Sequence, residues 1–357
     1  MAGHHAVLGI RTGGDTGRYV GAAKNILQGL PLQGKGTMNL FYDYFLAWVF
    51  GIGGGETSLV ASQCLVTLGC ALLLHLAVEK VFDRNVATIA AFVFLLNPEV
   101  QRWVFFILPE AIATCALVAL VSLAWLARYQ QRWVVLALLM GLVLGLTRPE
   151  GKYFLIPVIV YWFINLPSSG RWPAWSMLGI LGCLFVLTGN ADVHENFSEH
   201  FITGSYIWGY AGLNPNPDQA LIKVGEKGVF STILYMMENH PTLLLETILM
   251  RLWMFVSHMR PFYSNVHNVA SFIFCLVLYV LSCLAWWRCK AYRPDMALLW
   301  MVTGIQALMV VLTFDDWDGR WLNRVMPSLS ILAACGWAGL FLATARDHQA
   351  GGGVTGS

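Results

Sequence analysis

Hydrophobic positions in this chain do not alternate with polar ones; they run on for twenty residues and more. Stretches long enough to cross about 30 Å of hydrocarbon lie at 57–80, 103–127, 268–288 and 324–344. Shorter or proline-interrupted runs at 86–100, 133–147, 152–166, 173–190 and 295–313 share that apolar context and are read as further spans, nine in all. The pattern predicts an all-α fold: a polytopic transmembrane helical bundle, with short interfacial helices on the extracytoplasmic side. No repeat of about 20 to 50 residues recurs, which argues against a solenoid.

Basic residues gather in alternate loops: Lys80 and Arg84, Arg128 and Arg132, Arg171, then Arg288, Lys290 and Arg293, then Arg346. By the excess of positive charge on the inner face, those loops face the cytoplasm. The other side then holds 1–56, the turns at 98–102 and 148–152, the long segment 191–267 and the turn 314–323. The run from Leu243 to His258 is apolar enough for a tenth span, but inserting it inverts the last three helices and exports Arg288, Lys290 and Arg293. Residues 241–259 are therefore expected as a helix in the outer interface, with Arg251, Trp253 and His258 at the headgroups. The expected organisation is one membrane domain over 1–344, its 1–56 an outer loop with an amphipathic helix at 17–29, followed by a flexible cytoplasmic tail at 345–357.

Composition closes off other classes. With 57% hydrophobic and 12% charged residues, the chain carries about half the charge of a soluble domain, and its mean hydropathy is +0.61. A net charge of +2, without lysines and arginines interleaved with aromatics, leaves no nucleic-acid surface. The eight cysteines lie in or beside apolar runs without a CxxC and read as small core residues. Residues 1–14 hold no apolar core of a signal peptide, and the adjacent His4 and His5 read as solvated.

The unusual polar residues fall on the outer side. Gly14-Asp15-Thr16-Gly17-Arg18-Tyr19, followed by Ala22-Ala23 and Leu27-Gln28-Gly29, resembles the first extracytoplasmic loop of the glycosyltransferase C superfamily. Further matches follow in order: Leu108-Pro109-Glu110, Leu146-Thr147-Arg148-Pro149-Glu150-Gly151, Arg260-Pro261-Phe262-Tyr263-Ser264 before His267-Asn268, and Gly319-Arg320-Trp321-Leu322-Asn323-Arg324 with Pro327. The likeness runs over nearly the whole chain and is nearest to the branch of protein O-mannosyltransferases and lipid A aminoarabinose transferases. Two features depart from it. Those enzymes open with a transmembrane helix leading into the acidic loop, a helix expected to be missing here, and many carry an Asp-Glu pair where this chain has Asp15-Thr16.

The resemblance implies an integral-membrane glycosyltransferase that takes a sugar from a polyprenyl-phosphate donor and gives it to a lipid, glycan or protein acceptor, with membrane lipids as its surroundings. Such transfer needs a base for the acceptor proton and cations for the departing phosphate. Asp15 is the expected base, its carboxyl raised toward a useful range by partial burial, with inversion at the anomeric carbon; a helix cap is its other reading. Arg148, Arg320 and Arg324 are the candidate phosphate ligands, assisted by Lys152, against a reading as snorkelling cations. Glu110 orients the acceptor or pairs with Arg102 or Arg148. Tyr19, Tyr263 and His267 complete the substrate-binding set, with His258 beside them, and Tyr206, Trp208 and Tyr210 stack on a sugar or form an interfacial belt.

Asp315-Asp316-Trp317-Asp318 reads as a solvated loop or a site for a divalent metal, the one cofactor left open. Asn196-Phe197-Ser198 fits a glycosylation acceptor pattern that chance also supplies. The location implied is a bacterial inner membrane. The competing functions are a transporter or flippase of lipid-linked substrates, an oligosaccharide ligase or polymerase, and a membrane scaffold. Against a transporter, the polar residues gather on one side and no inverted repeat is visible.

Overall fold

The computed structural model describes residues 9–32, 38–188, 193–207, 211–313 and 319–351. Among the described residues the β pairing is confined to one isolated parallel bridge, Arg11 with Phe106. The rest of the regular structure is helical: α1 (Thr16–Leu27), α2 (Leu40–Gly51), α3 (Glu56–Val81), α4 (Arg84–Leu96), α5 (Pro98–Val104), α6 (Glu110–Ala127), α7 (Arg132–Thr147), α8 (Leu155–Asn165), α9 (Trp172–Thr188), α10 (Val193–Ile202), α11 (Gln219–Gly225), α12 (Val229–Asn239), α13 (Pro241–Ser257), α14 (Asn265–Arg288), α15 (Arg293–Leu312), α16 (Arg320–Asn323) and α17 (Met326–Gly351), with a 3₁₀ turn at Pro149–Phe154.

Among the described residues, four helical stretches are long and apolar enough to cross a membrane: Glu56–Val81, Glu110–Ala127, Asn265–Arg288 and Lys290–Leu312. With the shorter apolar helices Leu40–Gly51, Arg84–Leu96, Arg132–Thr147, Trp172–Leu187 and Met326–Leu340 beside them, the chain is a multi-pass membrane protein. Helix α2, at 1.5 Å per residue only about 18 Å long, cannot cross alone.

Several expected boundaries move. The run at 103–127 is not one helix: α5 stops at Val104 and α6 starts at Glu110, because Pro109 lacks an N–H and disfavours helix at the residue before it. The run at 86–100 ends at Leu96, where Asn97 leaves the helical conformation and caps α5 by accepting from the Glu99 N–H. The last helix is apolar to Leu340 and continues to Gly351, so the expected tail at 345–357 is helical over its first part.

The chain divides into two compact units, residues 1–185, 277–302 and 326–357 in the first, and 186–276 with 303–325 in the second. The first unit is organised on α6, every residue of which is buried, with α3 and α7 packed along it and α17 along α4. Glycines allow close approach of helices, as is common in membranes. A β-carbon at Gly145 would lie 2.3 Å from Leu184 Cδ1, and one at Gly336 would lie 2.0 Å from the Leu281 carbonyl oxygen. At the expected cytoplasmic end, Arg128 and Tyr161 both donate to Asp295 Oδ1, joining α6, α8 and α15. The second unit has its own core, Phe201, Ile202, Leu221, Met236 and Leu244, shared by α10 to α13.

Two expectations of exposure are corrected. Arg251 and His258 are buried, at 0% and 1% exposure, although Trp253 does face outward. Nor are all the cysteines core residues: the eight are free thiols, and Cys183 and Cys283 lie on outward faces of α9 and α14, where a small apolar group suits acyl chains as well as protein.

Candidate functional site

In the first unit the acidic loop is fixed by backbone pairing. The Arg11 N–H donates to the Phe105 carbonyl at 3.0 Å, and the Ile107 N–H returns a bond to Arg11 at 3.2 Å. Thr16 Oγ1 accepts from the Gly13 N–H at 2.9 Å and donates to the Ile107 carbonyl at 3.1 Å. The same short segment that separates α5 from α6 therefore holds Asp15 beside the start of α6. Burial follows the amphipathic pattern of α1, with Thr16, Tyr19, Ala22 and Ala23 inward. Tyr19 meets Tyr42 of α2 edge-on, with ring centroids 5.3 Å apart, a geometry worth about 1 kcal/mol beyond burial.

Asp15 occupies the position before α1, but its side chain makes no capping bond. The hydroxyl of Thr16 accepts from the upstream Gly13 N–H rather than from an amide of α1, so the Asp15 carboxylate does not serve as the helix cap. Its partner is Arg18, at 3.9 Å. The expected partial burial fails too, because the Asp15 side chain is 50% exposed. Arg18 leans over the Tyr19 ring, 4.4 Å from its centroid, and donates to the Tyr19 hydroxyl at 2.8 Å.

Glu110 opens α6 fully buried, and Arg148, which ends α7, donates to its Oε1. Of the two pairings expected, Arg148 is the one formed; Arg102 turns to Glu99 at 3.2 Å. Lys152 is buried with its ammonium 4.5 Å from the Phe185 ring centroid. Burial pulls its pKa down, with Glu150 acting against that.

Sequence reasoning missed what binds these segments together. Asn39 Nδ2 donates to the Thr147 carbonyl at 2.8 Å, next to Arg148. Gln63 Nε2 donates to the carbonyls of Val104 and Phe106 at 2.7 and 3.0 Å, and its Oε1 accepts from Tyr42 at 3.4 Å. Both amides satisfy backbone left open where helices break. Asp43 was missed as well. It is 1% exposed, and neither carboxyl oxygen has a hydrogen-bond partner among the described residues. Desolvation raises its pKa from 3.8 to about 7, with Arg18 pulling the other way. The available signal was a single charge in the otherwise uncharged α2 sequence LFYDYFLAWVFG.

That shift has a stability consequence. A carboxyl whose folded pKa is raised contributes stability that is fully present below its unfolded value and lost as pH rises through the folded one. The window here runs from 3.8 to about 7. Relative to the parent chain, Asp43→Asn is expected to gain roughly 3 kcal/mol between pH 5 and pH 8. Thermal unfolding in detergent at the two pH values measures it; an equal difference at both would contradict the expectation.

In the second unit, α13 ends on His258 in the left-handed conformation, φ 54°. Its imidazole fills the space over Gly319: a β-carbon there would lie 2.1 Å from Cε1, and φ at Gly319 is 70°. Only glycine satisfies both conditions, and it launches α16 with Arg320. Arg324 is 2% exposed, its guanidinium 4.6 Å from the Trp321 ring centroid. Tyr263 stacks on His267 at 4.0 Å and meets His258 edge-on at 6.3 Å. Of the expected site residues, this unit groups Tyr263 with His267 and Arg320 with Arg324; the first unit holds Asp15, Tyr19, Glu110, Arg148 and Lys152. Asp315-Asp316-Trp317-Asp318, Trp208, Tyr210, His4 and His5 lie outside the described residues. Among the described residues no group of three His, Cys, Asp or Glu is arranged for a metal.

Residues 38–190 match the family model described as dolichyl-phosphate-mannose-protein mannosyltransferase. No curated protein matches the sequence. Among solved structures, ArnT from Cupriavidus metallidurans in its apo state is similar at TM-score 0.55 and 14% identity, covering 95% of this chain and 57% of that one. AglB from Archaeoglobus fulgidus, an archaeal oligosaccharyltransferase in complex with an inhibitory peptide and dolichol-phosphate, is similar at TM-score 0.54 and 13% identity, covering 97% of this chain and 48% of that one. The chain thus spans about half the length of these structures. The resemblance read from the outer loops is met by the family match and by the architecture: residues 38–190 match the dolichyl-phosphate-mannose-protein mannosyltransferase model, and the chain shares the fold of ArnT and AglB.

Proposed function

We propose that the protein transfers a sugar from a polyprenyl-phosphate carrier to an acceptor on the extracytoplasmic side of a bacterial inner membrane, with inversion. The carrying observation is the bridge of residues 11–16 to 105–107, which holds Asp15 beside the helix that begins at Glu110. An uncapped, half-exposed carboxylate on a pinned loop suits a base that an acceptor must reach. The acceptor oxygen or nitrogen forms a bond to the anomeric carbon while the bond from that carbon to the phosphate oxygen breaks. The electron pair leaves with the polyprenyl phosphate, and the acceptor proton passes to Asp15. For the second unit taken by itself, the reading proposes Arg320 and Arg324 as ligands of phosphate oxygens and the stacked Tyr263 and His267 as a pair for a headgroup or a sugar.

Support for a lipid-linked donor comes from the family match and from AglB, whose structure holds dolichol-phosphate. In the resting site Arg148 lies on Glu110, so its proposed role is to set that carboxylate, with the acceptor as the ligand it prepares.

The test is sugar transfer or release by purified protein from a panel of polyprenyl-phosphate sugars, read by mass spectrometry. Asp15→Asn is expected to lower the rate by about 100-fold or more, with donor binding retained. Full activity in the variant removes Asp15 as base. A protein that binds a lipid-linked sugar and moves it across a bilayer without transferring it is a transporter.

A further inference from the structure

At the expected cytoplasmic end of the first unit, three turns that are far apart in the sequence are drawn to one place. Phe82, between α3 and α4, meets Trp125 near the end of α6 edge-on at 5.8 Å and Tyr292, between α14 and α15, at 5.0 Å. Arg128, just past α6, donates to Asp295 in the first turn of α15 at 2.5 Å. The segments 79–84, 128–132 and 288–295 that meet in this way hold seven basic residues against three acidic ones, Glu79, Asp83 and Asp295. Asp295 is buried on Arg128, Asp83 is spent as the cap of α4, and Glu79 lies 3.6 Å from His75. Lys80, Arg84, Arg132, Arg288 and Lys290 are exposed and Arg293 is half-buried; among the described residues none of these six is in an ion pair.

Where three of the cations stand on their helices is a second observation. Arg84, Arg132 and Arg293 are the first residues of α4, α7 and α15. A helix N-terminus carries partial positive charge, which opposes a cation and favours an anion. Helices α4 and α7 have no acidic residue in the first turn, and α7 has no side-chain cap. Like charges are thus gathered on helix ends of the same sign, an arrangement that an anion bound across the turns relieves.

The surroundings say which kind of anion. Lys80 lies over the Tyr129 ring at 5.1 Å, Arg132 over Trp133 at 4.9 Å and Arg293 over Trp286 at 5.6 Å. Tyr and Trp placed so mark the headgroup level of a bilayer. On α3, Leu72, Leu76 and Lys80 follow at a spacing of four, so they share one face, and both leucines are exposed. An acyl chain lying along that face ends at the cation. Val277 and Val280 present a like exposed surface on α14. We infer that the three turns form a binding site for an anionic phospholipid, its phosphate held among Lys80, Arg84, Arg132, Arg288, Lys290 and Arg293 and its chains against α3 and α14. The inference does not depend on the transferase reading.

Thermal unfolding of the purified chain in neutral detergent, with phosphatidylglycerol or phosphatidylcholine of the same acyl chains added, tests it. Phosphatidylglycerol should raise the melting temperature and phosphatidylcholine should not, and the difference should shrink as salt is raised from about 0.05 to about 0.5 M. In lipid-free detergent Arg132→Gln should melt no lower than the parent, because it takes a cation off a helix N-terminus. Titrated with phosphatidylglycerol, the same variant should bind about fivefold more weakly, and Lys80→Gln combined with it about 25-fold. Arg171→Gln, the same change in a turn that none of these contacts joins, should keep the parent's affinity.

Equal stabilisation by the two lipids overturns the inference, as does a loss in Arg171→Gln equal to that in Arg132→Gln, which would make the effect one of summed charge. A lipid-free Arg132→Gln that melts well below the parent also overturns it, since the arginine would then be a structural residue. Stabilisation by glycerol phosphate as large as that by the lipid would assign the site to a soluble phosphate instead.

Discussion

Arg148→Met is expected to cost about 3–5 kcal/mol of stability, and Glu110→Leu in the same chain to restore most of it. The reason lies in where the pair is formed. Glu110 has no exposed surface and Arg148 retains 14% on its side chain, so neither charge has water to fall back on. The two carboxylates near Arg148 are unequal, since Glu150 lies 3.9 Å away and is itself 17% exposed. Removing the arginine takes from Glu110 the guanidinium that lies on it at the head of the central helix α6, and a buried carboxylate without that cation is driven toward taking up a proton or rearranging. Removing both leaves an apolar contact between α6 and α7, helices that already pack along their length. Thermal unfolding in detergent of the parent, the single variant and the double variant reads the cycle. Equal losses in the single and the double would show that the buried carboxylate is not what makes Arg148→Met costly. The helix pair also positions Asn39 through the Thr147 carbonyl, so a stable double variant without transfer activity would assign the pair to the chemistry as well as to the fold.

How much of this was legible in the sequence depends on the range of the interaction. The apolar runs, the amphipathic helix expected at 17–29 and found at Thr16–Leu27, and the helix expected at 241–259 and found at Pro241–Ser257 are local patterns. They survive folding because each is set by its own periodicity and end signals. The break between α5 and α6 did not show, since Phe105-Phe106-Ile107-Leu108 is as apolar as the spans around it. Pro109 was the local clue; the bridge to Arg11 was not readable, being a backbone pairing between distant segments that leaves no side-chain signature. The same limit applies to the site. Asp15 and Glu110 were legible as unusual charges at the ends of apolar runs, whereas Gln63 and Asn39 act on backbone carbonyls that only the fold exposes. Asp43 was open to notice: one carboxylate in twelve otherwise uncharged residues at a membrane surface invites the question of what it faces.

Arg251 gives the other large effect. A cation on an apolar helix reads as snorkelling to the headgroups, yet in this structure it points inward and its three nitrogens are spent on backbone. Nε donates to the Ser205 carbonyl at 2.8 Å, Nη1 to Val311 at 2.8 Å and Nη2 to His200 at 2.9 Å. Its plane lies over the Phe201 ring, 4.2 Å from the centroid. These carbonyls belong to chain ends, the exits of α10 and α15 and the turn after α10; that of His200 also accepts from the Ser205 N–H at 2.9 Å. Arg251→Met keeps the packing volume and removes all three donors; at about 1–3 kcal/mol for each of the Ser205 and Val311 carbonyls, partly relieved by water, a total loss of about 2–4 kcal/mol is expected. Arg251→Lys retains the charge but not the fork, and should recover only a minor share. Limited proteolysis across 200–213 with thermal unfolding in detergent measures both variants. Because α13 ends on His258, whose ring packs against Gly319 at the head of Arg320 and Arg324, donor binding should weaken along with stability in Arg251→Met. Wild-type stability with an intact 200–213 segment would mean that the carbonyls are served by water and that the guanidinium is not what ties α13 to these chain ends.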